Sequence, residues 1–210
     1  ALQAAETLGS TTVICTDKTG TLTLGQMRLT EIMTGGQLSS WNGGVSTIVG
    51  AERLLQLAAM CNDAVVDGEA IGSPTEKALL LAALDQGLTK IQLDKEYPRL
   101  DTVPFNSERK YMITLHQQRA DQLAIIKGAA EIVIAASSEV LVRNKVQKLT
   151  ASDKTKLLAD YQAMSRKGLR VLACAYRQST RFGGSLDARQ IELHDYVFVG
   201  LLGLQDSIRP

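Results

Sequence analysis

Two histidines, His116 and His194, and three cysteines, Cys15, Cys61 and Cys174, are the only such metal ligands in the chain, and none stands at a zinc-ligand spacing. The cysteines read as buried thiols of a reducing compartment. Long apolar runs are missing as well: the longest, Ala78 to Leu84, falls far short of the roughly 20 residues needed to cross a bilayer. No signal-peptide pattern is visible. Charge of one sign is also absent in excess, since 23 basic and 22 acidic residues leave a net charge of +1. A nucleic-acid or anionic-membrane surface is therefore disfavoured as the main partner, and any phosphate site must be a local pocket. Aromatics are few at 4%, but 45% hydrophobic content over 210 residues suffices to bury a sizeable core. Neither internal repeats nor low-complexity tracts occur.

What is present is organised around Asp17-Lys18-Thr19-Gly20-Thr21-Leu22-Thr23, a polar run that follows the apolar Val13-Ile14-Cys15. The order predicts a strand running into a loop, with the aspartate at the strand's carboxyl end, where open α/β sheets place ligand chemistry. A carboxylate there can attack phosphorus, provided donors hold and neutralise the phosphoryl oxygens. Lys18, Thr19 and Thr21 supply the donors, and Gly20 permits close backbone approach. Aspartate-based phosphatases usually carry a second carboxylate two positions on; here that position is Thr19, so the phosphoaspartate should form without prompt hydrolysis.

Along the chain, Ala1 to Leu8 is helix-like, Thr11 to Thr16 a strand, and Gln26 to Met33 an extended segment in which Met27, Leu29 and Glu31 alternate with Arg28, Thr30 and Ile32. Gly35-Gly36 and Trp41-Asn42-Gly43-Gly44 mark a polar loop. A buried helix is expected from Ala51 to about Val66, followed by a turn at Asp67-Gly68. Ser73-Pro74-Thr75-Glu76 then signals a helix with Ser at the N-cap, Pro at N1 and Glu at N3 of a capping box, and Gly87 closes it. Strands follow at Leu100 to Phe105, Lys110 to His116 and Gln122 to Lys127, with a turn at Arg119-Ala120-Asp121; short connections make them antiparallel. Helices are expected over Ala129 to Ala136 and Ala151 to Lys167, the latter capped by Ser152 or Asp153 and ended by Gly168. Leu169 to Arg177 and Tyr196 to Leu204 complete the strands, and Gln205 to Pro210 reads as a hinge.

Four side chains suggest a ligand pocket. Phe105, an aromatic in the polar Pro104-Phe105-Asn106-Ser107-Glu108-Arg109-Lys110, is either a core residue at a strand end or a ring that stacks on a ligand. Lys127 in Lys127-Gly128-Ala129 either faces solvent or reaches into a pocket beside a helix start with free N–H groups. Glu76 has a capping role that competes with ligand binding. Arg170 interrupts the apolar Leu169-Arg170-Val171-Leu172-Ala173-Cys174-Ala175 and must point to water or to an anion.

Asp17 to Thr23 matches the phosphorylation motif of P-type ion-transporting ATPases at every position, and the match extends upstream through Glu6-Thr7-Leu8-Gly9-Ser10-Thr11. The chain resembles that family over essentially its whole length. No His-Pro dipeptide occurs, which sets it apart from the heavy-metal branch, and its motifs are similar to those of the calcium, sodium-potassium and related branch, calcium pumps among them. The resemblance implies an α/β (α+β) fold. An antiparallel β-sheet flanked by helices would form a nucleotide-binding domain over residues 26–205. Residues 1–25 would be a fragment of a Rossmann-like, haloacid-dehalogenase-type phosphorylation domain, and residues 206–210 a hinge back to it. By the same resemblance Asp17 accepts phosphate, with Lys18, Thr19 and Thr21 as its catalytic neighbours, and Asp17 and Thr19 bind Mg2+ once the phosphorylation domain is complete.

The resemblance also distributes the nucleotide contacts. Phe105 stacks on adenine, Glu76 accepts from its amino group, Leu172 lines the base pocket, and Arg170 reaches the phosphates of ATP. Lys110 lines the pocket, and Lys127, Gly128 and Ala129 match the Lys-Gly-Ala signature, with Ala130 in place of the family's proline. Ser107 replaces an arginine that many calcium pumps carry. Asp206 and Arg209 match a hinge signature whose two prolines are Ser207 and Ile208 here. What is implied is a cytosolic, ATP-binding piece of a membrane ion pump, whose partners are ATP and the remaining pump domains. Such a piece is expected to bind nucleotide but neither to phosphorylate itself usefully nor to transport, and its first strand, lacking neighbours, to be disordered, unusually packed or paired with a second copy. The alternatives are a free-standing aspartyl phosphatase and a non-catalytic nucleotide-binding module.

Overall fold

The computed structural model describes residues 11–13, 15, 23–67, 69–180 and 193–208. Its elements are β1 (Thr23–Thr34), β2 (Gln37–Ser40), α1 (Ala51–Met60), β3 (Val65–Asp67), β4 (Glu69–Ile71), α2 (Pro74–Asp85), α3 (Lys90–Glu96), β5 (Arg99–Val103), β6 (Tyr111–Gln118), β7 (Asp121–Gly128), α4 (Ala130–Ala136), β8 (Ser137–Val142), β9 (Lys145–Lys148), α5 (Ala151–Arg166), β10 (Arg170–Ser179) and β11 (Tyr196–Ile208). The main sheet runs β2-β1-β11-β10-β7-β6-β5 with antiparallel neighbours throughout. One pairing departs from the antiparallel expectation: β8 lies parallel to β11 over Tyr196 to Phe198 and carries β9 beyond it.

Both faces of this sheet are covered. Met112, Leu123, Ile125, Cys174 and Leu202 pack with α1 and α2, whereas Ile113, Ile126, Ala173, Ala175 and Phe198 pack with α4 and α5. Successive side chains of a strand point to opposite faces, so a strand clothed on both sides reads as a continuous apolar run. That is why Tyr111 to His116 are all buried although they alternate between two cores.

Several boundaries move for local reasons. The helix expected to reach Val66 stops at Met60, because the Asn62 side chain accepts a hydrogen bond from Ala64 N–H at 2.8 Å and offers the backbone a turn in place of another helical bond. A β3–β4 hairpin follows. The alternation expected across Gln26 to Met33 breaks at a bulge between Leu29 and Glu31, beyond which Ile32 and Met33 are both buried. α5 is capped by Thr150, not by Ser152 or Asp153. Thr150 Oγ1 accepts from Asp153 N–H at 3.2 Å and Asp153 returns the bond to Thr150 N–H at 2.9 Å. The segment read as a hinge from Gln205 is strand as far as Ile208, since β1 continues opposite it to Thr23.

Residues 11–13 and 15, the described part of the strand expected over Thr11 to Thr16, stand in no strand. Val13 in it is 72% exposed. Cys15 is exposed, contrary to the reading of all three cysteines as buried; Cys61 and Cys174 are buried. The expected helix at Ala1 to Leu8 lies outside the described residues.

His116 carries a consequence for stability. It is fully buried, with Nδ1 3.0 Å from Tyr97 O and Nε2 2.9 Å from Thr114 Oγ1. Burial pulls its pKa down to about 4, against the opposing bond to Tyr97. Between the ordinary value near 6.5 and about 4, the unfolded chain binds a proton that the folded chain refuses. Stability from this group is therefore complete above pH 6.5 and falls by about 3 kcal/mol as pH drops to 4. Urea midpoints measured across that window should fall more steeply for the unaltered chain than for His116→Gln.

Candidate nucleotide site

A cleft of about 980 Å³ opens where the N-terminus of α2 meets the ends of β7 and β10 and the loop after β5. Glu76, Phe105, Lys127, Gly128, Arg170 and Leu172, six of the residues named for a nucleotide, line it, and so does Asp206, named for a hinge. Asp17, Lys18, Thr19, Thr21 and Arg209 lie outside the described residues. Among the described residues no group of three or more metal-ligating side chains is found.

The helix that presents Glu76 is set by its ends. Ser73 Oγ accepts from Glu76 N–H at 3.3 Å, Pro74 occupies the first turn, and at the far end Gly87, with φ 76°, closes a Schellman motif through Leu88 N–H to Ala83 O at 3.0 Å. Only half of the expected capping box forms. The Glu76 carboxylate does not return to Ser73; its Oε1 accepts from Asp63 N–H at 3.2 Å and from Lys127 Nζ at 3.4 Å. The carboxylate is thus turned away from the cap toward Asp63 and Lys127, both of which line the cleft.

Lys127 is the buried member of that pair, 5% exposed. It stands in β7 opposite Cys174 and Met112, so its stem crosses the core while the ammonium reaches Glu76. Removing either partner would leave a charge in a desolvated place. Cys174 beside it is no nucleophile: burial pushes its thiol up to about 12 and also raises that of Cys61.

Arg170 begins β10 and is exposed, with Nη1 donating to Thr75 Oγ1 at 3.0 Å. The guanidinium thus stands at the cleft mouth with donors to spare. Phe105 is 60% exposed, which excludes the core reading of this residue. Asn106 fixes the loop that follows it: Oδ1 accepts from Glu108 N–H at 2.7 Å and Arg109 N–H at 3.2 Å, and the Asn106 carbonyl accepts from Lys110 N–H at 2.7 Å.

Lys110 and Ala129 are not among the lining residues. Lys110 is exposed, with φ 58°, and its carbonyl accepts from the N–H of Ala129, the N-cap of α4, at 2.9 Å. Asp206 Oδ2 accepts from Thr23 Oγ1 at 2.6 Å, tying β11 to β1 at the cleft's edge, and its buried Oδ1 finds no partner among the described residues. Reading the sequence for ligand residues overlooked Asp63, Ser73 and Thr75, which also line the cleft. The helix-start signal could have found the last two, since a helix N-terminus favours anions.

The set is chemically asymmetric. A carboxylate and an exposed ring stand with a buried ammonium, and a guanidinium occupies the mouth. Against this geometry, the family described as P-type ATPase, cytoplasmic domain N, matches residues 50–210, about three quarters of the chain.

The chain belongs to that family.

The chain is similar to proteins named Calcium-transporting ATPase 1 from Bacillus cereus, 37% identical over 99% of the chain, and from Lactococcus lactis, 35% identical over 99%. Another protein of that name, from Schizosaccharomyces pombe, is 33% identical over 100% of the chain. The chain spans 23–24% of the length of these relatives. No helix among the described residues is long and apolar enough to cross a membrane.

Proposed function

We propose that the cleft binds ATP, and that the chain is the nucleotide-binding part of a cation-transporting pump. The observation that carries this reading is the gathering of Glu76, Phe105, Lys127 and Arg170 around one cleft. The residues fit the ligand. Phe105 offers an exposed face for the base, Glu76 an acceptor for an amino group, Leu172 an apolar wall, and Arg170 at the mouth a fork of donors for phosphate oxygens.

Bound there, ATP supplies a transferable γ-phosphoryl group. In the longer protein the Asp17 carboxylate attacks the γ-phosphorus and ADP leaves, with Lys18, Thr19 and Thr21 holding the phosphoryl oxygens. Asp17 and Thr19 would hold Mg2+ once the phosphorylation domain is complete, and the ion would supply positive charge to offset that of the phosphoryl oxygens. The names of the relatives make calcium the transported cation we propose. We place the domain limits at 26–205, with 1–25 belonging to the phosphorylation domain and 206–210 a hinge back to it. The paired ends of β1 and β11, where Thr23 lies opposite Ile208, support a two-stranded exit of the chain at that point.

Titrations with ATP and with adenosine test the orientation of the ligand. Arg170→Ala should weaken ATP about tenfold or more, the value of a charge-assisted bond, and leave adenosine nearly unchanged. Equal losses for both would remove Arg170 from the phosphate end.

A further inference from the structure

Glu76 is held by more than its own helix. Arg99, at the start of edge strand β5, donates from Nη1 to Asp63 Oδ1 at 2.7 Å and from Nη2 to the carbonyls of Met60 at 2.8 Å and Asn62 at 2.6 Å. The guanidinium therefore satisfies the end of α1 and closes the turn that follows it. That turn grips Glu76 twice: buried Asn62 donates from Nδ2 to Glu76 O at 3.0 Å, and Asp63 N–H bonds the carboxylate Oε1. Lys127 bonds the same oxygen, which leaves Oε2 to a ligand. A planar fork with several donors can serve one carboxylate and two carbonyls together, whereas an ammonium on a flexible stem is less suited to it.

We infer that Arg99 is a positioning residue that sets the cleft's preference for purines with a 6-amino group, an inference that rests on the adenine-nucleotide reading above. A carboxylate fixed in direction accepts a bond from an amino group at that position and opposes a 6-oxo group, which presents another acceptor. When the brace is cut the carboxylate turns freely, and the two bases become more alike to it. Arg99 itself touches no ligand in this account.

The test compares ATP with inosine triphosphate, which differs at the 6 position, in equilibrium titrations of the whole chain. Arg99→Gln should lower the ATP-over-ITP preference about fivefold through weaker ATP binding, with ITP affinity held within about twofold. A loss shared equally by the two nucleotides, or an unchanged ratio, overturns the inference. If Arg99→Gln melts below the assay temperature, Asp63→Ala removes a half-exposed partner of the same guanidinium and should lower the same ratio; an unchanged ratio there is equally fatal. Glu76→Gln separates this proposal from its foundation. A preference that survives Glu76→Gln removes Glu76 as the acceptor for the 6-amino group and with it the footing of this proposal, whereas one that collapses in Glu76→Gln but persists in both brace variants defeats only the role of Arg99.

Discussion

Replacing Phe105 by alanine is expected to weaken ATP binding about 5- to 150-fold, the range that corresponds to roughly 1 to 3 kcal/mol for a stacked base. The ring is 60% exposed at the cleft, so little core packing is lost with it, and the melting temperature should stay within a few degrees of the unaltered chain. Its direction is set by the backbone, through the turn that Asn106 holds. Phe105→Tyr, which keeps the face, should retain most of the affinity. Calorimetric titration of the three proteins checks this, and an alanine variant that binds as tightly as the original would place the base elsewhere.

Gly128→Ala should have the larger effect on the fold. A β-carbon at Gly128 would stand 2.6 Å from Tyr111 Cα and 2.7 Å from Tyr111 Cβ, and closer still to Lys110 O. Gly128 and Tyr111 are paired across β6 and β7, so the obstacle includes backbone on the neighbouring strand, which has few ways to retreat. The cost should reach about 3 kcal/mol, the upper part of the range for overpacking, and lower the melting temperature by about 6 to 12 °C. Lys127 precedes this glycine, so separation of the strands also displaces the ammonium from Glu76. Thermal melts and ATP titration of the variant should therefore both change. A melting temperature equal to that of the unaltered chain would mean that the two strands do not approach so closely.

The pocket was legible because its members break the pattern around them. Arg170 interrupts an apolar strand, Phe105 stands among polar residues, and Lys127 ends an apolar run beside a glycine. α2 was equally clear, since its serine, proline and closing glycine each have one local job. Pairings made through turns without such markers were not legible. The β8–β9 hairpin turns at Arg143 and Asn144, with φ 48° and 62°, a conformation that asparagine tolerates and arginine does not advertise. β11 was read short because Gln205, Asp206 and Ser207 are polar, and only the presence of β1 alongside keeps them extended. Nor does a sequence say which way a carboxylate turns. Glu76 satisfies a capping pattern, yet the turn built by Asn62 and Asp63 draws its oxygen toward Lys127.

The most direct test of the central claim is an amide and side-chain chemical-shift map of the chain titrated with ATP. Shifts concentrated at Glu76, Phe105, Lys127, Arg170 and Leu172, with the depression between α1 and α3 around Glu52 and Gln92 unmoved, are the predicted result. Saturable shifts that leave those five residues still and gather on another face would contradict it.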